Sequence, residues 1–168
     1  MTSNTAISDF VYHLSREILK MNPGQLARLR RMDVSGPGAM EYWKLIVSSE
    51  FKSSNQVMQL VKTMAILTPK GPPNKTKKLH SQENSLGHVL SMVNYPETRL
   101  MRLIALQHTR RFDALERIAK WISAKHTTGV NCVDIACLLF SKDVKHTRRL
   151  AEEYYRKEHH KYLTEVTQ

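Results

Sequence analysis

Apolar residues recur at intervals of three and four along almost the whole sequence, and this spacing limits the possible folds more than any other feature. Val11, Leu14 and Ile18 show it near the start of the chain, and it places their side chains on one face of an α-helix. Residues 57–67 and 112–122 repeat the pattern. No stretch alternates polar and apolar residues for long enough to indicate a β-strand. The sequence therefore predicts an all-α fold of about eight or nine helices.

One segment interrupts the helical pattern. Residues 68–84 contain three prolines and four lysines, a composition that stops a helix and carries positive charge. We therefore expect an N-terminal helical bundle at residues 1–67 and a C-terminal helical bundle at residues 85–168, joined by a basic linker loop.

Positive charge is in excess and is segregated along the chain. The sequence has 26 Lys and Arg against 15 Asp and Glu, a net charge of +11. Residues 18–32, 51–82 and 98–112 hold 4, 6 and 4 of the basic residues and no Asp or Glu. Such segregation indicates a polyanionic partner, either nucleic acid or an anionic membrane face.

Several functional classes lack their usual signatures. The apolar runs, such as residues 135–140, are far shorter than the ~20 residues of a membrane-spanning helix. The polar start of the chain has no signal-peptide pattern, so we expect a cytoplasmic protein. Cys132 and Cys137 are five residues apart, which does not match a zinc-binding CxxC pair, and we expect both to be structural. The sequence has no glycine-rich phosphate loop and no HxxxH pair, so no cofactor or metal is predicted.

Two alternative functions remain open on the sequence alone. Residues 114–124 and 131–139, with a glycine-containing turn between them, have the layout of a helix-turn-helix DNA-binding regulator. The second of these helices is so apolar that we expect it to lie in the core. A small basic nuclease would need clustered carboxylates. The adjacent Glu152 and Glu153 project to different helix faces, where surface ion pairs are the expected role.

Basic residues beside the apolar stripes, or within the acid-free stretches, are the candidate binding site. Arginine and lysine spaced along helices can follow a phosphate backbone, and each neutralised phosphate adds affinity by releasing counterions. The predicted nucleic-acid-binding residues are Arg30, Arg31, Arg99, Arg102, Arg110, Arg111, Arg117, Lys142 and Lys145. For each residue separately, a solvated position with a local ion pair is the alternative.

Six short motifs agree in order and spacing with a known family. They are residues 24–31 (GQLARLRR), 37–45 (PGAMEYWKL), 85–90 (SLGHVL), 97–104 (ETRLMRLI), 115–118 (LERI) and 148–154 (RRLAEEY). Together they resemble the CasB-type small subunit of the type I-E CRISPR surveillance complex, Cascade. The chain departs from the family at His88, a position that is often basic. Around the penultimate helix, where many members have aromatic residues, it has Cys132, Cys137 and Phe140.

The resemblance implies a non-enzymatic protein of two small helical bundles. Members occur as two copies against the backbone and large subunits, where they help to hold the crRNA–target heteroduplex and the displaced non-target DNA strand. Arg30, Arg31, Arg99 and Arg117 fall on arginine positions of the family, and Lys142 falls on a basic segment. By resemblance, the partners are crRNA, target and non-target DNA, other Cascade subunits and a second copy of the chain.

Overall fold

The computed structural model describes residues 4–70, 78–125 and 128–167, and within these ranges nine α-helices and one 3₁₀ turn form the fold. The helices are α1 (Asn4–Leu19), α2 (Pro23–Arg31), α3 (Met40–Val47), α4 (Asn55–Leu67), α5 (Leu86–Met92), α6 (Glu97–Ala105), α7 (Phe112–Lys125), α8 (Cys132–Phe140) and α9 (Val144–Val166), and the 3₁₀ turn is His108–Arg110. The described ranges contain no β-strand, so the predicted all-α class is confirmed.

Side-chain caps fix where several helices begin. At α2, the Asn22 side chain accepts a hydrogen bond from the Gln25 amide, and the Gln25 side chain accepts one from the Asn22 amide. Ser54 caps α4 and Asn131 caps α8 through side-chain oxygens that accept backbone amides. These caps satisfy N–H groups that have no partner within their own helix.

Helices from both halves of the chain share one hydrophobic core. α4 packs against α7 and α8, α1 packs against α8, and α5 lies along α9. The buried apolar residues form one connected cluster that runs from Ile7 of α1 to Tyr154 of α9. The predicted division into separate bundles at residues 1–67 and 85–168 is therefore not confirmed.

The end of the predicted basic linker packs against the start of α8. Leu79 is buried, with 1% of its surface exposed, and His80 pairs with Val130 in an isolated parallel bridge. The amide of Cys132 donates to Nδ1 of His80 at 3.1 Å. These contacts fasten the linker's C-terminal end to the core, whereas residues 71–77 of the predicted linker lie outside the described residues.

Candidate nucleic-acid interface

The nine predicted binding residues fall into three groups. Two arginines, Arg30 and Arg111, point their guanidinium groups at backbone carbonyls inside the protein. Three arginines lie on neighbouring faces of α6 and α7. The remaining four, Arg31, Arg110, Lys142 and Lys145, are exposed on separate elements.

Arg111 is an interior residue. Only 7% of its surface is exposed, and burial lowers the pKa of its guanidinium. Its Nη1 donates to the carbonyl of Leu138 at 3.0 Å, and its Nε donates to the carbonyl of Leu106 at 3.1 Å. The first bond satisfies a carbonyl in the last turn of α8, which has no partner within that helix. Arg111 therefore holds α8 in place, and its burial leaves little surface for the predicted phosphate contact.

Arg30 has a similar structural role at the end of α4. It is half-buried, and burial lowers the pKa of its guanidinium. Its Nε donates to the carbonyl of Ala65 at 2.8 Å, and its Nη2 donates to the carbonyl of Thr68 at 3.3 Å. These carbonyls lie at the C-terminus of α4, where the helix dipole favours a positive charge. These bonds use two of the five N–H donors of the guanidinium, so Arg30 has a structural role, and its contact with phosphate stays a prediction.

The three arginines on α6 and α7 belong to a larger exposed cluster. We call it the α6–α7 basic face, and it consists of Arg99, Arg102, Arg117, Trp121 and Lys125. The first two residues are three positions apart on α6, and the other three follow at intervals of four on α7, so each set lies on one helix flank. All four cationic side chains are exposed, and the tryptophan is half-buried.

Two of these arginines influence the same tyrosine electrostatically. Burial raises the pKa of Tyr95, and the positive charges of Arg99 and Arg117 partly oppose that rise. Tyr95 precedes α6, and its ring contacts Trp121 of α7. The structure therefore brings together side chains that are 18 positions apart in the sequence.

Trp121 lies at the centre of the α6–α7 basic face. Its Nε1 donates to the carbonyl of Val93 at 3.0 Å, and the ring of Tyr95 meets it edge-on with centroids 5.7 Å apart. Two cations lie over the indole: Lys125 Nζ is 4.1 Å from the ring centroid, and Arg99 Cζ is 5.6 Å from it. The indole is thus fixed by protein contacts, while long solvent-exposed side chains cover its face.

The acidic residues close to this face along the two helices mostly have other partners. Glu97 accepts a hydrogen bond from the Tyr155 hydroxyl at 2.5 Å, which raises the pKa of Tyr155 to about 12. Glu116 pairs with one lysine of α4 and one of α7. Asp113 lies one helical turn before Arg117, so one carboxylate shares the α7 flank with Arg117 and Lys125. The face therefore stays positively charged.

The other exposed predicted residues lie apart along the chain. Arg31 lines an open groove of about 560 Å³ between α2 and α3, and Arg110 ends the 3₁₀ turn. Lys142 precedes α9, and Lys145 pairs with Asp143 at 3.4 Å in the first turn of that helix. For these four the sequence prediction stays a prediction.

Two members of the α6–α7 basic face were not among the predicted binding residues. Trp121 was one of five aromatic candidates for stacking an unpaired base, most of which were expected to be core or interface residues, and Lys125 was not selected. The other four candidates were Tyr42, Trp43, Tyr154 and Tyr155. The signal that could have found them is the four-residue interval that joins Arg117, Trp121 and Lys125, since that interval stacks side chains on one helix flank.

The helix that would read DNA in a helix-turn-helix regulator is a core helix. In α8 the side chains of Ile135, Leu138 and Leu139 are buried, as its apolar sequence predicts. Cys132 and Cys137 are also buried, and burial raises the pKa of both thiols.

The adjacent carboxylates of α9 are engaged in ion pairs on their own helix. Glu153 pairs with Arg149 at 2.9 Å, and Glu152 pairs with Arg156. Over residues 4–70, 78–125 and 128–167, no group of three or more His, Cys, Asp or Glu side chains could hold a metal ion. None of the helices in that same part of the chain has both the length and the apolar character needed to cross a bilayer.

No protein-family model matches this chain, and no curated protein sequence matches it. The functional assignment therefore depends on the geometry of the α6–α7 basic face and on the short motifs of the sequence.

Proposed function

We propose that this protein binds nucleic acid through phosphate contacts at the α6–α7 basic face, without sequence specificity and without catalysis. The observation that carries this proposal is a group of four exposed cations, of which Arg99 and Lys125 lie over the half-buried Trp121. Arg117 lies one helical turn before Trp121, and Arg102 lies one turn after Arg99. Four cations on two adjacent helix flanks can neutralise successive phosphates of one strand, and each neutralised phosphate releases counterions.

The form of the α6–α7 basic face favours backbone binding over base reading. Specific reading of duplex DNA uses a helix that enters the major groove with polar side chains directed at base edges. Here the cations lie on α6 and α7, which the contact of Arg99 with Trp121 brings together, and their long side chains match phosphates as point charges or forks. Phosphate contacts position a strand and carry no sequence information.

The motif resemblance extends the proposal to an assembly. As a small subunit of a cytoplasmic CRISPR surveillance complex, the chain would hold the displaced non-target DNA strand beside the crRNA–target heteroduplex, in contact with the backbone and large subunits and a second copy of itself. Opening a DNA duplex on a guide RNA is a nearly balanced exchange of base pairs. Retention of the displaced strand on basic residues would therefore shift the balance toward the open state.

A salt-series binding experiment with matched charge variants tests this proposal. The test variant combines Arg99→Gln with Arg117→Gln. The control combines Lys20→Gln with Arg156→Gln, which removes the same charge from two exposed residues that pair with a nearby carboxylate, Glu17 and Glu152 respectively. Labelled single-stranded DNA, RNA and duplexes of several sequences would be titrated with Mg²⁺ present, and the probes checked afterwards for cleavage.

We expect the test variant to lose affinity and to flatten the slope of log affinity against log salt by up to about 1.4, since each single-strand contact contributes about 0.7. The control should keep the slope of the unmodified protein. Equal losses of affinity in both variants would mean that binding depends on the net charge of the protein and not on the α6–α7 basic face. Tight preference for one duplex sequence would support a regulator, and shortened probes would support a nuclease.

A further inference from the structure

We propose that Trp121 is a stacking platform for one unpaired base, and that the base takes the position over the indole that Lys125 occupies in the free protein. This inference rests on the proposed function and adds to it the class of ligand. The α6–α7 basic face would then prefer single-stranded nucleic acid to duplex, because only an unpaired base can offer a free face to the indole.

The indole is held in a fixed orientation. Its Nε1 donates to the carbonyl of Val93, which is the residue after α5, at 3.0 Å. The ring of Tyr95 packs against it at an interplanar angle of 88°, and Tyr95 is itself buried. A fixed ring loses little conformational freedom when a ligand stacks on it, so its position suits recognition.

The Lys125 side chain that lies over the indole can move away from it. Lys125 is the last residue of α7 and is exposed, and its Nζ lies 4.1 Å from the ring centroid. A cation–π contact at an exposed site is weak, whereas a nucleobase stacked on an aromatic ring is held more strongly. When a strand binds, Lys125 can exchange the ring for a phosphate, and Arg99 can do the same from the other helix. The displaced cations are then used again, as contacts to the strand that displaced them.

The second tryptophan supplies an internal control. Trp43 of α3 is 42% exposed, so it is more accessible than a half-buried residue, and its Nε1 donates to the carbonyl of Pro37 at 2.8 Å. Among the described residues, no Lys or Arg lies over its ring. Accessibility alone would favour Trp43 as a stacking site, whereas the combination of ring and cations favours Trp121.

Fluorescence of two single-tryptophan variants tests the inference. Trp43→Phe leaves Trp121 as the emitter, and Trp121→Phe leaves Trp43. Each would be titrated with oligothymidylate and with an abasic phosphodiester strand of equal length and charge. We expect oligothymidylate to quench the emission of Trp121, the abasic strand to bind without comparable quenching, and Trp43 to respond to neither.

Affinity gives a second readout that does not depend on emission. Trp121→Leu should weaken oligothymidylate binding about fivefold or more and leave the affinity for the abasic strand and for duplex unchanged, and Trp121→Phe should retain part of the lost affinity. Lys125→Gln should flatten the salt slope and preserve quenching. Thermal unfolding of each variant would establish that it is folded.

The outcomes separate this inference from the proposed function. Equal affinity and equal quenching with oligothymidylate and the abasic strand would overturn the stacking role and leave phosphate binding intact. Absence of salt-sensitive binding to any of the strands would overturn the proposed function, and the stacking role with it.

Discussion

Gly87 of α5 lies so close to Leu150 of α9 that a Cβ atom on the glycine would come within 2.5 Å of the Leu150 carbonyl oxygen. The same atom would lie 2.8 Å from the Cβ of Glu153 and 2.9 Å from the amide nitrogen of Tyr154. Two of these three atoms belong to backbone, which cannot move aside as a flexible side chain can. The closeness of α5 and α9 therefore requires glycine at this position.

Gly87→Ala should destabilise the protein by about 1–3 kcal/mol, the usual cost of inserting a methyl group into a packed interface. The sign of this change in stability is informative, because a glycine-to-alanine substitution within an ordinary helix stabilises the helix by up to about 1 kcal/mol. Denaturant unfolding would measure the free energy. Gly24→Ala in the exposed first turn of α2, where the nearest atom is 3.3 Å away, should be close to neutral. A Gly87→Ala protein as stable as the control would mean that the two helices can separate at low cost.

The two neighbouring arginines at the end of the 3₁₀ turn should contribute differently to the free energy of unfolding. Arg111→Met keeps most of the buried volume and removes the donors to Leu106 and Leu138. It should cost about 1–3 kcal/mol, since buried carbonyls lose their hydrogen-bond donors. Arg110→Met, one residue earlier and exposed, should leave the unfolding free energy nearly unchanged. Equal free energies of unfolding for the two variants would show that the hydrogen bonds of Arg111 do not stabilise the fold.

The arginine pair at the end of α2 should behave in the same way. Arg30→Met removes two hydrogen bonds to the C-terminus of α4 and should destabilise the fold by about 1–2 kcal/mol. Arg31→Met, which is exposed, should have little effect on stability. Unfolding curves and binding at one salt concentration would be measured on the same samples. Loss of binding without loss of stability in Arg30→Met would favour the phosphate contact and overturn the structural role.

These two pairs show what the sequence could and could not predict. Helix positions followed from apolar spacing, because each helix buries one stripe, and that stripe can be found without knowing what covers it. Both arginines of each pair were predicted to contact phosphate, because charge and position along the chain do not distinguish them. The carbonyls that receive Arg30 and Arg111 lie 35 and 27 positions away. Only tertiary packing brings them there.

Part of the α6–α7 basic face could be predicted from the sequence, because some of its residues are identified by local properties. Arg99, Arg102 and Arg117 were selected from charge and from their position beside apolar stripes, which are local properties. The role of Trp121 depends on Val93 and Tyr95, which orient its ring from outside α7. A tryptophan at helical spacing is read as a core residue unless its neighbours in space are known.

Acidification should loosen the contact between the basic linker and α8. The amide of Cys132 donates to Nδ1 of His80, so this nitrogen must carry no proton in the folded protein. Burial lowers the pKa of His80 below its usual 6.5, although a hydrogen bond with the Val130 backbone partly opposes this. The folded state thus prefers the neutral ring, and the unfolded state takes up the proton first as the pH falls.

Stability from His80 should therefore be fully present above about pH 6.5 and be lost as the pH falls through the lowered folded pKa. His80→Asn retains an acceptor for the Cys132 amide and does not titrate, so its unfolding free energy should change less between pH 7.5 and pH 5 than that of the unmodified protein. His146, whose pKa burial also lowers, should supply part of the slope that remains. His160→Asn, at an exposed position of α9, is the matched control and should keep the original slope. Identical slopes in the His80 variant and the unmodified protein would show that the linker contact does not sense pH.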